Sequence, residues 1–154
     1  KPGILFKDIT PLLADDRTFA DTIMHLSHLV PKGTTKLAAI ESRGFILGSA
    51  VAMKLGLGMA LIRKPGKLPF ATLSHSYDLE YGKDTLQMHV DALSPQDRVC
   101  IVDDVLATGG TAAAAESLCL QTGAQVSGLA FLMELSFLSG RNKLKAPSHS
   151  LITL

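Results

Sequence analysis

Val99-Cys100-Ile101-Val102-Asp103-Asp104-Val105-Leu106-Ala107-Thr108-Gly109-Gly110-Thr111 is the stretch from which the fold can be read. The apolar run Val99 to Val102 reads as a strand buried in a parallel sheet. Asp103 and Asp104 follow at its carboxyl end, where open parallel sheets bind their ligands. Ionised carboxylates only accept hydrogen bonds, so the adjacent pair suits vicinal sugar hydroxyls. Gly109 and Gly110 allow a backbone with positive φ that approaches a ligand closely. The run Ala112-Ala113-Ala114-Ala115-Glu116-Ser117-Leu118 then forms a helix. Its first N–H groups and its dipole favour a phosphate, and Thr108 and Thr111 add hydroxyl donors. No Gly-Lys-Ser/Thr follows, which excludes the nucleoside-triphosphate P-loop. Strand, acidic pair, anion-ready turn and helix together suit a ligand carrying both hydroxyls and a phosphate.

The segments on either side extend this unit. Thr10 to Ala14 reads as a loop or short turn. Asp16 caps a helix whose apolar residues Phe19, Ile23, Leu26 and Val30 recur at helical spacing, and Pro31 and Gly33 end it. Leu37 to Ile40 is a short strand. Gly44 to Leu55 is a helix closed by Gly56, and Met59 to Ile62 is the next strand. Arg63 to Gly82 carries Pro, Gly, Lys, Ser and His without an apolar period. It reads as a long functional loop with room for short hairpin strands. Leu86, Met88 and Val90 alternate with polar residues in a strand with one wet face. After Ser94-Pro95 come the key strand and a helix to Gln121, closed by Gly123. Val126 to Met133 is a strand, Gly140 to Lys145 a polar connection and Ser150 to Leu154 a final strand. Strands alternating with helices predict right-handed crossovers and a central, mostly parallel sheet flanked by helices, an α/β fold.

The 154 residues fit one domain spanning residues 1–154, and 47% of them are hydrophobic, enough for a real core. No apolar run approaches 18 residues, so no membrane span is expected. Lys1-Pro2-Gly3 is not a signal peptide. Without an initiator Met, the chain is expected to lack an N-terminal segment. A net charge of +1 gives no global pull toward nucleic acid. Arg63, Lys64 and Lys67 do cluster, and beside a phosphate turn they read as an anion site. Cys100 and Cys119 have apolar neighbours and read as reduced core thiols of a cytosolic protein. Asp21, His25 and His28 share a helix face opposite Phe19, Ile23 and Leu26. They read as a solvated face rather than a metal site.

The opening stretch resembles the phosphoribosyl-pyrophosphate motif of type I phosphoribosyltransferases, in the variant of the adenine-specific members. Hypoxanthine-guanine relatives typically carry Glu-Asp at the acidic pair and Asp where this chain has Ala107. Other blocks agree: Pro2 to Leu13, Glu41-Ser42-Arg43-Gly44-Phe45, Arg63 to Pro69, and Tyr77-Asp78-Leu79-Glu80-Tyr81-Gly82. Beyond the helix after Thr111 the match loosens, with Met133-Glu134-Leu135 and Gly140-Arg141 still fitting. One departure is Phe70-Ala71, where a Gly or polar residue is more usual. An exposed Phe there suggests a dimer or ligand contact.

The resemblance implies a cytoplasmic homodimer of purine salvage with a long flexible loop. It would join adenine to 5-phosphoribosyl 1-pyrophosphate and release AMP and pyrophosphate. Asp103 and Asp104 would hold the ribose, and Ala107, Thr108, Gly109, Gly110 and Thr111 the 5′-phosphate. Ser42, Arg43, Arg63, Lys64 and Lys67 would meet pyrophosphate, with Arg63 reaching a neighbouring subunit's site. In the family the Ser42 turn sometimes contains a non-proline cis peptide. Leu5, Phe6, Lys7 and Val105 would surround adenine. Glu80, oriented by Tyr81, would exchange a proton with the base, and with Arg43 these are the candidate catalytic residues. Mg²⁺ would be carried mainly by the substrate, with no site made by protein alone. A transferase for xanthine or guanine is the alternative within the same chemistry. A non-catalytic regulator that binds the same sugar is the alternative outside it. Such regulators add a DNA-binding domain or basic patch, which this length and charge do not favour.

Overall fold

The structure, a computed structural model, describes residues 8–78 and 82–154. Leu5, Phe6, Lys7, Glu80 and Tyr81 lie outside them. The chain runs α1 (Thr10–Ala14), α2 (Asp16–Leu29), β1 (Lys36–Ile40), α3 (Arg43–Leu55), β2 (Gly58–Ile62), β3 (Thr72–Asp78), β4 (Lys83–His89), β5 (Arg98–Leu106), α4 (Gly110–Gln121) and β6 (Gln125–Glu134). Two 3-10 turns, Ser136–Leu138 and Gly140–Lys143, lead to β7 (Ser148–Thr153). Five strands form a sheet in the order β2-β1-β5-β6-β7, and every pairing is parallel.

The apolar run behaves as its composition requires. Val99 and Ile101 pack with Ala112, Ala115 and Leu118 of α4. Cys100 and Val102 pack with Leu26 of α2 and Leu47 and Val51 of α3. A strand covered on both faces has no wet side to alternate toward. Small alanines on the buried face of α4 let that helix lie close to the sheet.

Three sequence expectations change and a fourth becomes definite. β5 does not stop before the acidic pair. It pairs with β6 through Asp103↔Phe131, Val105↔Met133 and Leu106↔Glu134, so both carboxylates sit within the strand, held by its backbone ladder. The pairing with β1 ends at Ala39↔Val102. From Asp103 onward β5 therefore has β6 on one side and an opening on the β1 side. Asp15, not Asp16, caps α2, its side chain accepting from Thr18 N at 2.8 Å. Thr10–Ala14 is a short helix rather than a loop, with Pro in its first turn and Asp8 accepting from the Thr10 amide at 2.9 Å. Finally, the long Arg63-to-Gly82 stretch, read as a loop with room for short hairpin strands, does hold one, the seven-residue β3. It pairs antiparallel with β4 from Thr72↔His89 to Asp78↔Lys83. Its half-buried residues Leu73, His75 and Tyr77 alternate with exposed Ser74, Ser76 and Asp78. That is strand periodicity carried by weakly apolar side chains. Phe70, before this strand, is 78% exposed.

Candidate active site

The two strand-to-helix turns, β1 to α3 and β5 to α4, open on one cleft of about 420 Å³. Glu41, Ser42 and Arg43 line one side, and residues 103–112 line the other. Neither helix start is capped by its own side chains: Ser42 and Gly109 make no capping hydrogen bond. Uncapped N–H groups at helix starts are natural anion donors. The Glu41–Ser42 peptide is cis.

Two close approaches fix this geometry. A Cβ at Gly44 would stand 2.7 Å from Asp103 Oδ1 and 3.2 Å from the Val102 carbonyl oxygen. Only glycine lets α3 start so near the end of β5. Gly109 has φ +79°, the left-handed region that favours glycine. A Cβ there would overlap the Gly140 carbonyl, with that carbonyl carbon at 2.8 Å and the Gly140 Cα at 3.0 Å.

The two carboxyls of the acidic pair have different surroundings. Asp104 is buried, and its Oδ2 stands 2.7 Å from Arg43 Nη2. Asp103 accepts from the Asp104 amide at 2.9 Å. Burial first, and the neighbouring Asp104 charge second, push the Asp103 carboxyl well above its usual range. Removal from water disfavours its charged form, so the site gains from an incoming cation or hydroxyl donors.

The basic cluster is engaged within the chain. Arg63 Nε meets Glu41 Oε2 at 2.8 Å, and Lys67 Nζ meets Glu41 Oε1 at 3.3 Å. The Lys64 amide donates to Glu41 Oε1 at 3.0 Å. Burial pushes the Glu41 carboxyl up, but these donors outweigh it and hold the group below its ordinary value. Lys64 Nζ pairs with Asp84; burial lowers its pKa and the Asp84 bond more than restores it. Among the described residues, Arg63, Lys64 and Lys67 therefore stand outside the cleft lining, each beside a carboxylate of its own chain. Carboxylates more than 15 positions away in sequence hold these cations.

Ser42, Arg43, Asp103, Asp104, Val105 and 107–111 are brought together as the sequence suggested. Asp21, His25 and His28 lie on the exposed face of α2. Two partners were missed. Glu41 organises the basic cluster, and Tyr77 Oη stands 3.1 Å from Thr111 Oγ1 and donates to Asp84 at 3.2 Å. Tyr77 thereby ties the β3–β4 hairpin to the phosphate-type turn. Its place at the head of the Tyr77-to-Gly82 block was the available signal.

Comparison with known proteins gives a consistent picture. Residues 13–150 match the model of the phosphoribosyl transferase domain. The chain is 57% identical over 157 residues to an adenine phosphoribosyltransferase of a Synechococcus species, covering 97% of this chain and 87% of that protein. It superposes on the crystal structure of the Thermoanaerobacter pseudethanolicus adenine phosphoribosyltransferase with a TM-score of 0.97 and 47% identity, covering 100% of this chain and 91% of that one. The Saccharomyces cerevisiae adenine phosphoribosyltransferase, solved with adenine and an imino-altritol bisphosphate, matches at 40% identity with a TM-score of 0.90. That match covers 97% of this chain and 88% of the yeast one.

Proposed function

The chain belongs to the adenine phosphoribosyltransferase family, and from that premise we propose how its cleft joins adenine to 5-phosphoribosyl 1-pyrophosphate to give AMP and pyrophosphate. The observation that carries the reading is the meeting, in one cleft, of the acidic pair on β5 with the uncapped start of α4. Carboxylates accept the ribose 2′ and 3′ hydroxyls, and the N–H groups of residues 108–111 take the 5′-phosphate.

In the reaction, the C1–O bond to pyrophosphate breaks while a ring nitrogen of adenine bonds to C1, through an oxocarbenium-like transition state. The start of α3, Ser42 and Arg43 receive the departing pyrophosphate. Arg63, Lys64 and Lys67 join them by exchanging Glu41 and Asp84 for phosphate oxygens. Val105 lines the cleft and, with Leu5, Phe6 and Lys7, frames the base. The proton on the adenine nitrogen goes to Glu80, oriented by Tyr81. A magnesium ion carried in with the substrate would supply charge neutralisation for the leaving group. The hard carboxylate oxygens of Asp103 and Asp104 at the cleft are donors that fit it.

The reading includes a homodimeric enzyme of purine salvage in the cytoplasm. Two buried free cysteines suit a reducing compartment, and among the described residues no helix is long and apolar enough to cross a membrane. A panel tests the base: protein, Mg²⁺ and 5-phosphoribosyl 1-pyrophosphate with adenine, guanine, hypoxanthine or xanthine. Pyrophosphate release with adenine alone is expected. Release with another base and none with adenine would overturn the assignment.

A further inference from the structure

Gly140 and Arg141 lie on the 3-10 turn Gly140–Lys143, outside the residues that line the cleft. Gly140 nevertheless touches the phosphate turn, backbone against backbone. A Cβ at Gly140 would overlap the Ala107 carbonyl and stand 2.8 Å from Gly109 N. No flexible side chain lies between them to absorb a shift. Any movement of Gly140 therefore passes directly to residues 107–109.

Arg141, the residue that follows Gly140, is fixed to the ends of β6 and β7. Its Nε donates to Glu134 Oε1 at 3.1 Å, its Nη2 to Glu134 Oε2, and its Nη1 to the Ser148 carbonyl. A fork with two donors on one carboxylate fixes orientation as well as distance. Glu134 is buried and also accepts from Ser150 Oγ at 3.4 Å. It is the last residue of β6 and pairs across from Leu106, the residue that leads into the phosphate turn. The following Leu135 amide donates to the Leu106 carbonyl at 2.9 Å. The turn is thus anchored in front by Leu106 and behind by Gly140, and both anchors go back to Glu134.

We propose that Arg141 and Glu134 are positioning residues for the 5′-phosphate: the pair presses Gly140 against Ala107 and Gly109 and so sets the direction of the N–H groups at the start of α4. The proposal rests on the ribose-phosphate reading of the cleft. A merely structural pair would weaken the fold without distinguishing substrates. A positioning pair affects the phosphate-bearing substrate and spares adenine.

Three variants of the full chain test this: Arg141→Met, Arg141→Lys and Gly140→Ala. The readouts are KM for 5-phosphoribosyl 1-pyrophosphate, KM for adenine, and the calorimetric affinity for ribose 5-phosphate. A misplacement near 1 Å can cost two orders of magnitude, so Arg141→Met is expected to weaken both phosphate readouts about 10- to 100-fold. KM for adenine should stay within about twofold, the scale on which an undisturbed base pocket is read. Arg141→Lys, which keeps the charge and loses the fork, should lie between wild type and Met. Gly140→Ala should reproduce the split through the backbone contact itself. Equal changes in both KM values, or an unchanged phosphate affinity in folded variants, overturn the positioning role. If Arg141→Met does not fold, the same split or its absence is read from the other two. A wild type that fails to bind ribose 5-phosphate overturns the ribose-phosphate reading and the proposal with it. A wild type that binds, with variants unchanged, overturns the proposal alone.

Discussion

Replacing Arg43 by alanine removes the guanidinium that stands 2.7 Å from Asp104 Oδ2. At that separation, with an effective dielectric of about 20, the attraction is about 6 kcal/mol. The net loss is smaller, because the pair has also given up hydration. The Asp104 side chain is 8% exposed and that of Arg43 is 29% exposed, so the pair lies between a surface and a buried bridge. Its removal should cost about 1–3 kcal/mol. For a domain of this size that lowers Tm by about 2–12 °C. Thermal unfolding of the ligand-free protein near neutral pH reads the effect. The main cost is an Asp104 carboxylate left buried without its cation. Adding Asp104→Asn to the Arg43→Ala variant should therefore recover much of the loss. An unchanged Tm in the single variant, or a double variant less stable than the single, would refute the pairing argument. The same single variant should weaken pyrophosphate as a product inhibitor, and an unaffected inhibition constant would remove Arg43 from the leaving-group site.

Three further outcomes are expected. Gly109→Ala forces a side chain into the left-handed region at about 1–2 kcal/mol and overlaps the Gly140 carbonyl at about 1–3 kcal/mol more; a wild-type Tm would contradict the φ at this position. Asp103→Asn should raise the Tm of the ligand-free protein near neutral pH and weaken 5-phosphoribosyl 1-pyrophosphate binding. The sign follows from a folded-state pKa above the unfolded one: the carboxyl supports the fold only at acid pH, and that support is lost as pH rises through the folded value. A lower Tm in this variant would reject the sign. Glu134 behaves in the opposite way, since the Arg141 bonds hold its carboxyl below the ordinary 4.5. Its stabilisation is present above that value and lost as pH falls through the folded one. Tm should fall as pH drops below about 4.5, with a shallower slope in Glu134→Gln; parallel slopes would show that Glu134 adds nothing.

The parts of the fold that the sequence reveals are those set by local chemistry. The buried run Val99 to Val102, the Gly56 helix stop and the phosphate turn all announce themselves through neighbours in the chain. The continuation of β5 through two aspartates does not, because β6 enforces it across the sheet against the low strand preference of Asp. β3 was obscured because its half-buried face carries Leu73, His75 and Tyr77 in place of a plain apolar alternation. The candidate site divides in the same way. Residues 103–111 are contiguous and were legible. The carboxylates that hold Arg63, Lys64 and Lys67 lie at Glu41 and Asp84, and only folding brings them there. Arg141 gave a motif without a role, since its meaning depends on Glu134 and on Gly140 meeting Gly109.

The central claim is that this cleft holds a ribose phosphate with its sugar toward Asp103 and Asp104 and its phosphate at the start of α4. A crystal structure of the protein with AMP tests it most directly. The expected density places the 5′-phosphate on the N–H groups of residues 108–111, the ribose hydroxyls on the two carboxylates, and adenine beside Val105. AMP bound with the phosphate away from that turn, or outside this cleft, would contradict the account.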